Sequence, residues 1–312
     1  MSEQKWALFA EQVKEVVPDR VLSDEPMARH TSIRIGGPAD LYVRAESIEE
    51  LCQLVRLARQ QAVPYFILGK GSNILVSEKG IRGLVIENRC QGYELYAIGN
   101  GHLRGRLRAE GGASLPALAK FTAQKGWAGL EWAIGIPSSI AGAVVNNAGA
   151  HGYSIADPLE AVTVLTEEGE TGRLGKDELA LGYRTSRFKG QGNREVVLTA
   201  EFSLRRMAVE LLANKMARYA EHRRLTQPVE PSAGSIFKNP PGNHAGRLIE
   251  KAGLKGTRVG DAQISPKHAN FIVNLGQAKA SQVLELIELA QQSVKDLFGV
   301  DLELEIELVG EW

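Results

Sequence analysis

The sequence predicts an α+β protein made of three successive zones, and three patterns carry that expectation. Apolar residues recur at helical spacing from Ser47 to Gln60 and are followed by short apolar runs. A long central stretch then mixes strand-like runs with a Gly/Ala-rich middle. Near the C-terminus an amphipathic helix pattern gives way to strict alternation of leucine or isoleucine with glutamate.

Taken in order, the first zone has Ile48, Leu51, Leu54, Val55, Leu57 and Ala58 on one helical face. The runs Tyr65 to Leu68 and Leu84 to Ile86 read as short buried strands, which makes a small α+β or α/β unit. The second zone, from about Cys90 to about Arg206, carries strand-like runs at Leu107 to Ala109, Ala161 to Leu165 and Val196 to Leu204. The third opens with a helix pattern from Met207 to Leu225. It closes with a helix from Ser281 to Phe298, whose Val283, Leu286, Ile287, Ala290, Val294 and Leu297 recur every three or four positions. The alternation of Leu302, Leu304, Ile306 and Leu308 with Glu303, Glu305 and Glu307 predicts a strand with one apolar and one acidic face.

Composition bounds what such a protein does. A chain of 312 residues, 44% hydrophobic, is long enough to bury one large core or several ordinary ones. Lys+Arg and Asp+Glu both total 37, so nothing in the balance calls for nucleic acid or another polyanion. Cys52 and Cys90 lack CxxC or zinc-ligand spacing and read as thiols of a reducing compartment. His102, His151, His222, His244 and His268 are scattered without paired ligand spacing, so no metal is expected. Met1 to Ala10 lacks the apolar core of a signal peptide, and no apolar span of about 18 residues occurs. These features predict a cytoplasmic protein without membrane insertion. The sequence is compatible with a monomer and does not determine the oligomeric state.

Two loops carry the chemistry. Gly69-Lys70-Gly71-Ser72-Asn73 lies between the apolar run ending at Leu68 and Ile74-Leu75-Val76. Its glycines permit positive φ, and successive N–H groups in such a turn form a nest for phosphate oxygens, with the Ser72 hydroxyl and Asn73 amide as further donors. An ordinary strand-to-strand turn has the same composition. The spacing is not that of a Walker A loop, and the absence of a helix pattern just after it argues against a Rossmann turn. The second loop runs from Gly135 to Ala150 and consists almost wholly of small or β-branched side chains. So little bulk lets main chain lie against a large planar ligand; a tightly packed helix start after Pro137 is the alternative. Together, the two loops suit an isoalloxazine ring on a pyrophosphate arm.

These residues resemble the UDP-N-acetylenolpyruvoylglucosamine reductase family, flavoenzymes of bacterial peptidoglycan precursor synthesis. The resemblance runs from Thr31–Ala39 to Gly310 and rests on separated motifs: Leu68 to Val76, Gly135 to Gly149, Tyr183 to Lys189, Ala233 to Pro240, and Glu303 to Ile306. It implies two α+β subdomains of the vanillyl-alcohol-oxidase type that clasp FAD, plus an α+β substrate domain. The corresponding expected boundaries are 1–89, with the pyrophosphate loop, 90–206, with the isoalloxazine-contacting loop, and 207–312. FAD contacts are expected from Gly69, Lys70, Gly71, Ser72, Asn73 and Ile74, and from Gly135, Ile136, Pro137, Ser138, Ser139, Gly142, Ala143 and Asn146. Only about fifty residues separate Arg184 from Ser235, which looks like the shorter branch without an inserted substrate-covering loop. Ser138 and Ala141 stand where the family usually has glycine. His151 stands where many members carry tyrosine.

The resemblance implies a reaction. NADPH reduces the flavin and leaves, UDP-N-acetylglucosamine enolpyruvate takes its place, and a hydride passes from flavin N5 to the terminal enolpyruvyl carbon. Arg184 matches the catalytic arginine, a planar, always-charged fork for a carboxylate becoming enolate-like. Ser235 matches the proton donor, a weak acid that needs Lys238 or bound water to stabilise its alkoxide. Glu305 matches the catalytic glutamate; alternation alone does not choose among Glu303, Glu305 and Glu307, and burial near the substrate would raise its pKa. Tyr183, Arg224, Lys238, Asn239 and His268 are expected at the sugar nucleotide. Two other classes remain open at the level of sequence: an FAD oxidase or dehydrogenase acting on an alcohol or hydroxy acid, and a flavin- or nucleotide-binding protein without turnover.

Overall fold

The computed structural model describes residues 3–99, 103–190 and 194–312. His102 lies outside them. The chain divides into two compact units, each drawn from three separate segments: Met1–Val21, Val43–Gly69 and Ile86–Arg223 in the first, Leu22–Tyr42, Lys70–Val85 and Arg224–Trp312 in the second.

The first unit is organised by a six-stranded sheet. Its strands run in the order Thr171–Gly175, Leu159–Leu165, Val196–Arg206, Arg104–Glu110, Tyr93–Ile98, with Trp127–Ala128 pairing off Val196–Arg206. Period-two patterning explains the sheet's faces. In Arg104–Glu110, Gly105, Leu107 and Ala109 are buried whereas Arg104 and Arg108 are exposed. Leu107, Val162, Val164, Ala200 and Phe202 build one core with Trp132, Ile140 and Val144. The helix Ile48–Gln60 starts where Ser47 caps it, accepting from the Glu50 N–H at 3.1 Å. Tyr65, Phe66 and Ile67 are only half-buried, and Leu68 alone of the predicted buried strand is fully inside, so the apolar run overstated its burial.

Cys52 and Cys90 are buried free thiols, and burial pushes the Cys90 thiol up to about 12, the mark of an inert core cysteine.

The second unit packs the helix Ala280–Phe298 against a four-stranded sheet ordered Ser232–Ser235, Phe271–Asn274, Ala262–Ile264, Arg258–Val259. Val283, Leu286, Ile287, Ala290 and Val294 are buried, as their spacing predicts, whereas Leu297 is exposed. The helix ends at Gly299, whose φ of 66° supplies the left-handed stop.

The predicted strand from Leu302 to Leu308 is corrected. Leu304 forms an isolated bridge with Phe237, residues 305 and 306 bend, and only Glu307–Val309 is a strand. Leu302 and Ile306 are the buried pair, with Leu304 and Leu308 half-buried. The bend breaks the equivalence of the three glutamates: Glu303 and Glu307 are exposed and Glu305 is half-buried.

Candidate active site

Each unit contributes its own set of predicted residues. In the second, the glycine-containing loop leads from Lys70 to Asn73 into the strand Ile74–Val76, which is buried at all three positions. That strand pairs in parallel with Glu307–Val309, Glu307 opposite Ile74 and Val309 opposite Val76. Gly71 has φ 58°, and a Cβ there would come within 2.1 Å of the His30 carbonyl, so the loop's close approach requires glycine.

Two further backbone segments, 305–307 and 234–236, meet at this loop. The Asn73 carbonyl accepts from the Glu307 N–H at 3.0 Å, and Asn73 Nδ2 donates to the Glu305 carbonyl at 3.0 Å. The Glu305 N–H in turn donates to the Ile236 carbonyl at 2.8 Å. Ile236 follows Ser235, which lies opposite Phe271 in the sheet. Gly234, φ 80°, would place a Cβ 3.7 Å from the Ser72 carbonyl. The structure therefore brings Ser72, Asn73, Ser235 and Glu305 together through main chain.

Lys238 does not stand free for Ser235: its ammonium is 3.1 Å from Glu303 Oε2, at a half-buried position. Asn239 is exposed, and its Oδ1 accepts from the Ala245 N–H at 3.0 Å. His268 is half-buried with Nδ1 accepting from the Asn270 N–H at 3.2 Å, and burial lowers its pKa. Arg224 is exposed; its carbonyl accepts from Lys267 Nζ at 2.6 Å. Sequence reasoning missed Asn270. Buried, it both donates to the Phe237 carbonyl at 2.8 Å and receives the Phe237 N–H at 2.9 Å, clamping the chain just past Ser235.

In the first unit, Gly69 approaches the flat-ligand segment directly: a Cβ on it would lie 2.6 Å from Ser139 Oγ. That segment contains a short helix, Ile140–Val145, capped by Ser139, whose Oγ accepts from the Gly142 N–H at 3.2 Å. The packed helix start offered as the alternative after Pro137 is present, beginning at Ile140. Gly111 and Ala113 accept the N–H groups of Ala141 and Ile140 at 2.8 and 2.9 Å, which fixes where the helix begins. Ala143 is buried, Ile136, Ser138, Gly142 and Asn146 are half-buried, and Gly135 and Pro137 are exposed.

Arg184 is half-buried, in a turn closed by the bridge between Gly182 and Thr185. Its φ is 54°, a left-handed conformation that costs a non-glycine residue energy and concentrates at functional sites. Its Nη2 donates to the Gly149 carbonyl at 3.0 Å, at the end of the flat-ligand segment. Asn147, buried and also left-handed at φ 40°, donates Nδ2 to the Gly182 carbonyl at 2.7 Å. Ser186 Oγ donates to the Val145 carbonyl at 2.6 Å. Tyr183 is 57% exposed, open to a ligand.

His151 has φ 57° and stacks on Tyr219 with centroids 4.2 Å apart. Burial, then His222 and Arg223, lowers its pKa, so the imidazole is neutral at pH 7. Arg223, another residue that sequence reasoning passed over, lies beside Gly135, where a Cβ would be 3.2 Å from its Nε. Burial pushes its pKa down as well, the sign of a cation short of solvent.

Comparison with known proteins decides the family. Residues 226–309 match the model for the UDP-N-acetylenolpyruvoylglucosamine reductase C-terminal domain, and residues 39–175 match an FAD binding domain. The chain is 45% identical to UDP-N-acetylenolpyruvoylglucosamine reductase 2 of Symbiobacterium thermophilum, over 97% of each protein. The chain belongs to the UDP-N-acetylenolpyruvoylglucosamine reductase family. Another member, from Caldanaerobacter subterraneus, is 43% identical over 97% of this chain and 99% of its own length. The crystal structure of the reductase from Thermus caldophilus superimposes with a TM-score of 0.76 at 38% identity, covering 93% of this chain and 99% of that one. Like its family, this reductase has an α+β fold with an FAD-binding domain, and FAD is its cofactor. Within the first unit, the close approach at Gly69 and the low bulk around Ser139 fit that group. Among the described residues no helix is long and apolar enough to cross a membrane.

Proposed function

We propose that the protein reduces UDP-N-acetylglucosamine enolpyruvate to UDP-N-acetylmuramate with NADPH, in peptidoglycan precursor synthesis. The observation that carries this reading is the chain of hydrogen bonds from the Asn73 side chain to the Glu305 carbonyl and from the Glu305 N–H to Ile236, the residue after Ser235. An alkene reductase needs its proton donor and its acid in register with the cofactor, and an alcohol oxidase needs a base instead. The chain then works as a pyrophosphate-binding subdomain (1–89), an isoalloxazine-contacting subdomain (90–206) and a substrate domain (207–312).

When bound, FAD supplies the two-electron chemistry, accepting a hydride from NADPH and passing it to the terminal enolpyruvyl carbon. The backbone N–H groups of Gly69 to Asn73 would hold its pyrophosphate, and Gly135 to Asn146 would supply the low-bulk surface for its ring system. Arg184 sets its guanidinium against the substrate carboxylate, where negative charge grows as the alkene is attacked. Ser235 delivers a proton to the second alkene carbon. Glu305, half-buried at the bend, stabilises the same developing charge as a hydrogen-bond donor. Since Lys238 is engaged by Glu303, water is the better partner for the Ser235 alkoxide. Tyr183, Arg224, Lys238, Asn239 and His268 contact the sugar nucleotide.

Anaerobic half-reactions test this. NADPH should bleach the flavin, and UDP-N-acetylglucosamine enolpyruvate should restore its absorption. Failure of the second step, or flavin reduction by a simple alcohol, overturns the assignment.

A further inference from the structure

Ser32 makes two hydrogen bonds that reach different parts of the second unit. Its N–H donates to the Gly71 carbonyl at 2.9 Å, and its hydroxyl donates to the Ser232 carbonyl at 2.6 Å. Gly71 is the centre of the cofactor loop, and Ser232 opens the strand that ends on Ser235. One residue thus joins the loop to the strand.

The two attachments are unequal in stiffness. The segment carrying Ser32 is anchored on both sides. The Thr31 hydroxyl donates to the Ile35 carbonyl at 2.8 Å, and Asn274 Nδ2 donates to the Ile33 carbonyl at 3.0 Å. His30 stacks on Tyr42 and is hydrogen-bonded to Glu25 at 2.9 Å. The strand is clamped just past Ser235 by Asn270, but between its two ends it is irregular. Its register shifts between Ser232 and Ser235, and Gly234 has a left-handed φ of 80°. A strand with an interrupted ladder takes its placement from whatever else holds it.

We propose that Ser32 is a positioning residue for proton delivery: its hydroxyl holds the strand of Ser235 in place relative to the cofactor loop. This rests on the reading of Ser235 as proton donor. Ser32 acts through its bonds to Gly71 and Ser232. Losing its hydroxyl loosens the strand while its N–H keeps the bond to Gly71.

The test uses the holoenzyme carrying Ser32→Ala, Ser32→Thr or Ser32→Cys. In Ser32→Ala, reoxidation of the reduced flavin by saturating enolpyruvyl sugar nucleotide slows about tenfold, since small misplacements of a reacting group are costly. The solvent deuterium isotope effect on that step rises, while flavin reduction by NADPH changes less than about twofold. Ser32→Thr, which keeps a hydroxyl, recovers most of the rate. Ser32→Cys, a weaker donor, slows the same step by an intermediate factor and serves if the alanine variant does not fold. FAD fluorescence on dilution provides a readout independent of turnover: release stays close to wild type, because the bond to Gly71 persists. Equal slowing of both half-reactions, an unchanged isotope effect, or wholesale FAD loss overturns the proposal. A wild-type enzyme that the sugar nucleotide fails to reoxidise overturns the functional reading instead.

Discussion

The surroundings of Ser235 and Glu305 and those of Arg184 are built on different principles. Around Ser235 and Glu305, main chain bonds main chain: Glu307 to Asn73, Glu305 to Ile236, Lys238 to Glu303, with the parallel pairing of Ile74–Val76 and Glu307–Val309 behind them, and the side chains of Ser32, Asn73 and Asn270 add to that frame. Arg184 is held mostly by side chains, those of Asn147, Ser186 and Arg184 itself, in a turn with left-handed backbone. Backbone ladders survive substitution of the side chains they carry; a turn held by side chains does not. The first arrangement separates chemistry from architecture, and the second merges them.

The largest expected effect probes the separated case. Ser235→Ala should leave folding and flavin reduction by NADPH intact while slowing reoxidation by the enolpyruvyl substrate by about 10²–10⁴-fold. Stopped-flow absorbance reads both steps, and equal losses would mean that Ser235 only shapes the site. Arg184→Lys comes next. Keeping the charge but losing the planar fork and its bond to Gly149, it should slow the same step by about 10²–10³-fold.

The comparison itself is sharpened by two asparagines. Asn147→Ala leaves the Gly182 carbonyl and the Ala156 N–H without their side-chain partner, and should cost about 1–3 kcal/mol in urea unfolding along with a drop in turnover. Asn73→Ala removes one bond to Glu305 beside an intact ladder, and should cost about 1 kcal/mol. A larger stability loss at Asn73 would contradict the contrast.

The smallest effect is one of pH. His151 in the first unit and His268 in the second both have pKa values lowered chiefly by burial. The unfolded chain, with histidine near about 6.5, then binds more protons than the native one below that pH. Stability contributed this way is complete above about pH 6.5 and falls as pH drops toward the folded values. Tm measured from pH 7 downward should decline less steeply in His151→Tyr and in His268→Gln than in the parent.

Local pattern was the part most legible in the sequence. Apolar spacing located the helices Ile48–Gln60 and Ala280–Phe298, because a helix writes its buried face at intervals of three and four. The strand read from Leu302 to Leu308 failed because Leu302 and Ile306, four apart, are buried equally well across a bend. Only the pairing partner at Ile74–Val76 decides where extended structure begins, and that partner lies far away in sequence. The separated motifs disclosed the family. The work of Ser32 and Asn270 stayed hidden, because each acts through a carbonyl or N–H of a distant residue, on which side-chain identity leaves no trace.

The parallel ladder between Ile74–Val76 and Glu307–Val309 also sets an order of events during synthesis. More than two hundred positions separate its two strands, so a ribosome adding about 5–20 residues per second needs roughly ten to fifty seconds to travel from one to the other. Throughout that interval the loop from Gly69 to Asn73 exists as polypeptide without the strand that borders it. A nascent chain stalled before Glu307 should therefore emerge colourless.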